Sequence, residues 1–278
     1  MREIQAKPIR AVERSLHVLE TFTSSDKGAL TLTDIAEASG LPRSTVYRIL
    51  CTLERERYLN YDETKETYSP GIRFIELGVR LTSSLDIMEA AEEPLLELHT
   101  ETRQTIVMAL GDEETIVYAF IKENEEGLKF SSKVGQRRPY TYGVLGITLL
   151  AFETEEKTDR ILKNGLSPRT PYTVISEPDM RSRLAGVREK GYFMEKDETT
   201  VGVSGIGAPI LNGRGRPAAA IGIVGPSVQL RGTSLLFAQK KILEKAETIA
   251  RRMNYQGRNY VLWQKEVERL AGSEESQT

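Results

Sequence analysis

The stretch from Thr31 to Leu53 constrains this 278-residue chain more than any other. Thr31, with Asp34 three residues on, is a helix-start signature, because hydroxyl and carboxylate each satisfy a backbone N–H of the other residue. It predicts a helix over Leu32–Ala38, closed by Ser39-Gly40, where Gly40 takes the left-handed turn that a Cβ resists. Leu41-Pro42 leads into a further helix, Arg43 to about Arg57, with Val46, Ile49, Leu50 and Leu53 as its apolar stripe. A short glycine turn between two such helices sets their crossing.

The flanks extend the pattern. Ala11, Leu16, Leu19 and Phe22 recur at helical spacing through residues 9–24, and Asp26-Lys27-Gly28 ends that run. Downstream, Tyr58–Tyr61 and Thr67–Ser69 flank the charged turn Asp62–Glu66, a hairpin signature, before Pro70-Gly71. Residues 9–70 therefore read helix, helix, turn, helix, hairpin, the pattern of a winged helix-turn-helix. It implies double-stranded DNA as a partner, with the third helix in the major groove and the hairpin along the backbone or minor groove.

The candidate DNA contacts are Arg43, Ser44, Thr45, Tyr47 and Arg48. Positions 43, 44, 47 and 48 share one side of a helix, and arginine suits a guanine edge. Tyr47 has a second reading, packing against the hairpin. Lys65 at the hairpin tip is a candidate phosphate contact, but Asp62, Glu63 and Glu66 surround it, so a solvated turn is the competing reading. Bulk charge does not decide the matter. The chain carries −2 overall, and residues 1–70 hold ten Lys/Arg against eleven Asp/Glu. The argument rests on placement, with Arg43, Arg48, Arg55 and Arg57 clustered around the motif.

Residues 71–101 read as two helices split near Ser83-Ser84, the second carrying an awkward Pro94. From Gln104 the pattern turns to strands: Thr105–Leu110 and Thr115–Ile121 as a hairpin, then Leu128–Val134. Helices follow at about Tyr142–Phe152, Glu156–Lys163 and Pro178–Lys190. Strands Tyr192–Lys196, Ile206–Leu211 and Ala218–Val224 come next, the last two joined at Asn212-Gly213. A final helix runs from about Ser234 to Met253. The expected organisation is a DNA-binding domain over 1–70, linker helices over 71–101, an α+β domain with a mostly antiparallel sheet over 102–254, and a C-terminal extension over 255–278 that frays.

Other chemistries find little support. The one cysteine, Cys51, excludes a disulfide within the chain and fits a cytoplasmic location. With two histidines far apart, a His/Cys metal site is not expected, and no cofactor is expected either. No apolar run approaches the ~20 residues that span a bilayer, so no membrane partner is expected. Gly202-Val203-Ser204-Gly205-Ile206 misplaces the last glycine of a nucleophile elbow. Gly213–Ala218 matches a dinucleotide fingerprint only nominally, since Pro217 and a strand follow where a helix is required. Glu195 and Asp197 read as a polar rim rather than an acid–base pair. The chain is not expected to be an enzyme.

Leu30–Leu50 is very similar to the DNA-binding segment of the IclR family of bacterial and archaeal transcription regulators. Val134-Gly135, Pro139, Gly146 and Leu149–Phe152 resemble that family's effector-domain helix motif. Lys190-Gly191-Tyr192, Glu195, Gly202, Ala208-Pro209 and Gly225-Pro226 resemble its closing motifs. The resemblance covers nearly the whole chain. It implies a GAF-like effector domain, a homodimer through the N-terminal domains or a dimer of dimers, a palindromic operator, and a small carboxylate-bearing or aromatic metabolite as effector.

Carrying the family's effector pocket over gives Phe130, Val144, Leu145, Glu195, Gly205, Gly222 and Val224, with Ser204 as a polar candidate. The chain departs from the family pattern here. Gly222 and Val224 stand where glyoxylate- and pyruvate-sensing relatives have serines, and Gly205 stands for a cysteine. Ser204 replaces a common arginine, while Thr141, Gly143 and Ile147 replace His, Thr and Lys. A small buried carboxylate would lack partners. The expectation is a bulkier or aromatic acid, with Gly205 and Gly222 supplying room and Ser204, Thr141, Tyr142 or Arg137 supplying polar contacts; the competing reading is that these glycines sit in tightly packed strands and the site binds nothing.

Overall fold

The computed structural model describes residues 7–25, 27–83, 86–124 and 132–255. Its contacts divide the chain into two compact units, 1–85 and 86–278.

The first unit opens with α1 (Arg10–Ser24), then the two-residue strand β1 (Leu30–Thr31), α2 (Leu32–Ser39) and α3 (Arg43–Arg55). At the start of α2, Thr31 Oγ1 accepts from the Asp34 N–H at 3.1 Å, and the Asp34 carboxylate accepts from the Thr31 N–H at 2.9 Å. Those bonds hold the Asp34 carboxyl at about 2, below its usual 3.8. Gly40 closes the helix at φ +66°, as expected. The hairpin is β2 (Leu59–Asp62) and β3 (Thr67–Pro70), and β1 adds to β3, giving sheet order β1-β3-β2. That third strand was not anticipated; two residues are too few to show alternation. Val18, Leu30, Ile35, Val46, Leu50, Leu59 and Tyr68 form the buried core of this unit.

The expected linker is divided between the units. Helix α4 (Ile72–Ser83) follows Gly71, whose Cα lies so close to Arg57 that a Cβ would stand 2.4 Å from its carbonyl oxygen. Phe74 of α4 meets Tyr58 edge-on at 5.5 Å. Helix α5 (Asp86–Thr102) belongs to the second unit and runs through Pro94 without interruption.

The second unit is built on a sheet of β4 (Thr105–Gly111), β5 (Thr115–Lys122), β6 (Arg137–Pro139), β7 (Phe193–Lys196), β8 (Val203–Leu211) and β9 (Pro217–Pro226). Their order is β6-β5-β4-β9-β8-β7 and every pairing is antiparallel. Helices α6 (Gly143–Ala151), α7 (Glu155–Lys163) and α8 (Glu177–Lys190) connect β6 to β7, and α9 (Gly232–Arg252) ends the unit. Helix α6 packs on β7, β8 and β9, α8 packs on α6, and α9 packs on β8, β9 and α5. Lys245 of α9 reaches Glu97 and Glu101 of α5 at 2.7 and 3.1 Å. With helices against both faces, β8 is buried at nearly every position. The architecture is the expected α+β one.

Three details differ from expectation. Ser132–Val134 is not strand, and residues 128–131 lie outside the described part; the strand here is β6, at three residues too short to read from sequence. The β8–β9 connection is not a two-residue turn at Asn212-Gly213. The Asn212 N–H donates to the Arg216 carbonyl at 2.9 Å, and Gly215, not Gly213, takes the left-handed conformation. Asn212 Oδ1 accepts from the N–H groups of Arg214 and Arg216, which favours the longer loop. Phe130 and residues 256–278 of the C-terminal extension lie outside the described residues.

Candidate functional site

In the first unit, Val46 and Leu50 turn α3 inward, leaving its opposite side uncovered. Arg43, Ser44, Tyr47 and Arg48 are exposed there, while Thr45 is half-buried. Neither Arg43 nor Arg48 has a carboxylate partner among the described residues, so both guanidiniums are free to meet an anion. Tyr47 is 53% exposed, so its ring is not buried against the hairpin. Tyr61 and Tyr68 pack on one another instead, ring centroids 4.7 Å apart. At the hairpin tip Asp62 Oδ1 caps the N–H groups of Thr64 and Lys65, and the Lys65 ammonium lies 3.7 Å from the same carboxylate. Lys65 is thus an exposed lysine already partnered by Asp62.

In the second unit, strand pairing brings most of the carried-over effector positions to one face. Glu195 pairs with Gly205, and Gly205 with Val224. One step along, Phe193 pairs with Gly207, Gly207 with Gly222, and Gly222 with Val107. Val144 and Leu145 of α6 cover this face. The period of two sends Ser204 to the other side. Its hydroxyl donates to Ser227 Oγ at 2.9 Å, and Ser227 Oγ donates to Asp197 at 3.0 Å. Ser204 is therefore not a contact on this face, and the Glu195/Asp197 pair is split between two environments. Arg137 is occupied elsewhere, with Asp112 at 2.6 Å.

The room expected at the glycines is already filled. A Cβ on Gly205 would stand 2.8 Å from Val144 Cγ1, and one on Gly222 would stand 3.0 Å from Leu145 Cδ2 and Val107 Cγ2. At Gly207 it would meet Thr148 Oγ1 at 2.5 Å and the Val144 carbonyl oxygen at 2.8 Å. The glycines serve close approach of α6 to the sheet. Of the two readings the sequence left open at these glycines, room for a ligand or tight strand packing, the contacts with α6 are those of tight packing.

The open space lies beside this packed trough. Thr141, Tyr142, Ile147, Arg169, Glu195 and Thr199 are among the residues around a cavity of about 20 Å³. Thr141, Tyr142 and Arg169 also line a cavity of about 300 Å³ that extends to Tyr140, Asn164 and Ser167. Glu195 receives the Thr199 hydroxyl at 2.8 Å, and burial pushes its carboxyl from the usual 4.5 to about 7. Arg183 grips Glu198 with two hydrogen bonds at 2.5 and 3.1 Å. Arg169 lay in an irregular segment with no periodicity, so nothing in the sequence singled it out. Among the described residues, no cluster of His, Cys, Asp and Glu is arranged to hold a metal ion, and no helix is long and apolar enough to cross a membrane.

Comparison with known proteins agrees with both halves. The IclR helix-turn-helix domain matches residues 11–63, and the bacterial transcriptional regulator IclR C-terminal domain matches residues 79–252. The HTH-type transcriptional regulator XynR of Escherichia coli is 27% identical over 248 residues, covering 89% of this chain and 98% of that protein. An IclR transcriptional regulator from Alicyclobacillus acidocaldarius superposes with a TM-score of 0.80 at 27% identity, covering 88% of this chain and 99% of that one. An IclR homolog from Microbacterium hydrocarbonoxydans, solved in complex with 4-hydroxybenzoate, has the same fold, with a TM-score of 0.80 at 23% identity, covering 88% of this chain and 100% of that one. A chain that joins this helix-turn-helix to this C-terminal domain belongs to the IclR family of DNA-binding transcriptional regulators.

Proposed function

We propose that the protein is a cytoplasmic, ligand-responsive regulator that binds a palindromic operator through α3 and senses an aromatic or bulky organic acid in its C-terminal unit. The observation that carries the DNA half is the outer side of α3, where Arg43 and Arg48 stand exposed without carboxylate partners beside Ser44 and Tyr47. Thr45 and Lys65 complete the proposed contact set, Lys65 through a phosphate. A homodimer, or a dimer of dimers, supplies the two-fold symmetry. Exposed Ile9, Val12 and Leu16 on α1, and Ile72, Ile75 and Leu77 on α4, are the apolar surface that a second copy would cover. The proposed domain scheme is a reader over 1–70, linker helices over 71–101 as the route between reader and sensor, and the sensor over 102–254.

The sensor half rests on the family's C-terminal domain; the filled glycine trough has no place for an acid of any size, and the open space lies beside it around Tyr142. That a relative of the same fold was crystallised with 4-hydroxybenzoate supports an aromatic acid as the effector. Effector can shift operator affinity only by binding the DNA-competent and incompetent states unequally.

Selection of binding sequences from a random duplex pool with the purified protein tests the reading. The expected outcome is a palindromic consensus whose affinity falls steeply with salt as counterions are released. Recovery of no consensus, or binding indifferent to salt, overturns it.

A further inference from the structure

We propose that the space around Tyr142 is an anion site, and that its occupant is a ring-sized organic acid whose carboxylate pairs with Arg169. This deepens the sensor reading and rests on it.

Charge accounting is the first support. All four arginines of α7 and α8 have carboxylate partners: Arg160 with Glu113, Arg181 with Asp159 and Glu177, Arg183 with Glu198, and Arg188 with Glu155. Arg169 and Arg138 have none among the described residues. Both instead lie against the Tyr142 ring, at 4.7 and 5.6 Å from its centroid. Arg138 donates to Ser132 Oγ, and its buried Nε has no partner. A guanidinium resting on a ring face is held by the ring's quadrupole while its in-plane N–H edges stay free for a bidentate carboxylate. Arg169 is exposed and Arg138 half-buried, so water can reach both, but their free N–H edges converge on one ring and leave a place there for an anion.

Rigidity is the second support. The Arg169 N–H donates to Thr173 Oγ1 at 3.1 Å. Thr170 and Thr173 in turn donate to the carbonyls of Asp197 and Glu198, each at 2.7 Å. The segment carrying Arg169 is thereby fastened to the one that carries Glu195 and Thr199, so little ordering remains for a ligand to impose.

Space sets the ligand class. The 300 Å³ cavity beyond Tyr142 is at the lower end of small-molecule pockets and offers the Tyr142 ring beside Asn164 and Ser167. A ring-sized body fits there with its carboxylate on Arg169.

The test uses the full chain and a defined panel: benzoate, 4-hydroxybenzoate, gluconate, pyruvate and the uncharged benzamide. Melting shifts identify the binding probe, and titration calorimetry measures it. The expected result is binding of at least one ring-sized acid and not of benzamide. Arg169→Met should weaken that binding about tenfold or more, and Arg181→Met, which removes an arginine already paired with Asp159 and Glu177, should not. A panel in which no acid binds, or pyruvate alone does, overturns the proposal. So does affinity that Arg169→Met leaves intact while Val144→Ala strengthens it, which places the ligand in the glycine trough. Binding of benzamide with a change in DNA affinity would overturn the anion site and preserve the sensor. Failure to select any DNA sequence sinks the regulator reading independently.

Discussion

The first unit leaves Arg43 and Arg48 exposed and unpaired on the outer side of α3, whereas the second neutralises every arginine of α7 and α8 and encloses its chemistry under α6. The two regions solve opposite problems. A reader of DNA must keep its charges in water until phosphates or base edges replace that water. A sensor of small molecules must hold a few polar groups away from water, where each must be partnered or wait for its ligand. Side chains that act on the surface need only a helix to display them. Those that act in the interior depend on what every neighbouring element leaves open.

The contrast can be broken, starting with packing. Gly207→Val should cost about 3 kcal/mol or more, because its Cβ meets the α6 backbone as well as Thr148. Denaturant titration of the full chain should show the loss. A tolerated valine would mean that α6 does not sit on the sheet so closely.

Glu195→Gln comes next. A carboxyl raised to about 7 keeps its proton in the folded state, so its penalty is absent below the usual 4.5, grows between the two values and is complete above 7. The groups that set it are Thr199 and Arg183, which favour the charge, and Glu198, which opposes it along with burial. The glutamine variant should gain about 3 kcal/mol above neutrality and nothing in acid. An equal effect at both ends of the pH range would show that burial of Glu195 carries no charge penalty.

Arg43→Ala or Arg48→Ala should lower affinity for the selected DNA by about 1.5 kcal/mol and leave the melting temperature unchanged. If either variant instead destabilises the fold, the outer side of α3 is less free than it looks. The smallest effect belongs to Thr31→Ala, about 1 kcal/mol from loss of the cap on α2. Asp34, held at about 2, stabilises the fold above its usual 3.8, and that contribution disappears as pH falls through 2. Thermal unfolding followed into acid should therefore show wild type and variant converging. Parallel curves would separate Asp34 from the cap.

The two units also differed in how far their residues could be read in order. The Thr31–Asp34 box, Gly40 and the α3 stripe are contacts between residues a few positions apart, so they stood in the sequence almost as they stand in the fold. Strands β4, β8 and β9 were legible as apolar runs, but three-residue β6 and two-residue β1 exist only because longer neighbours offer them hydrogen bonds. Ser204 was misplaced because membership of a segment does not reveal which face a side chain takes; its pairing with Lys196 and Gly225 does.

The sequence alone determined the helix-turn-helix with its hairpin, the exposed Arg43, Ser44, Tyr47 and Arg48 on one side of α3, and a family resemblance across nearly the whole chain. All of these rest on local spacing and on side-chain type. Tertiary structure decided what lies above the glycines. Val144 and Leu145 are about sixty to eighty residues from Gly205 and Gly222, and only the packing of α6 onto β8 and β9 turns apparent room into contact. It also decided that Arg169 stands without a carboxylate beside Tyr142, since an ion pair or its absence depends on distances across the fold that no periodicity encodes.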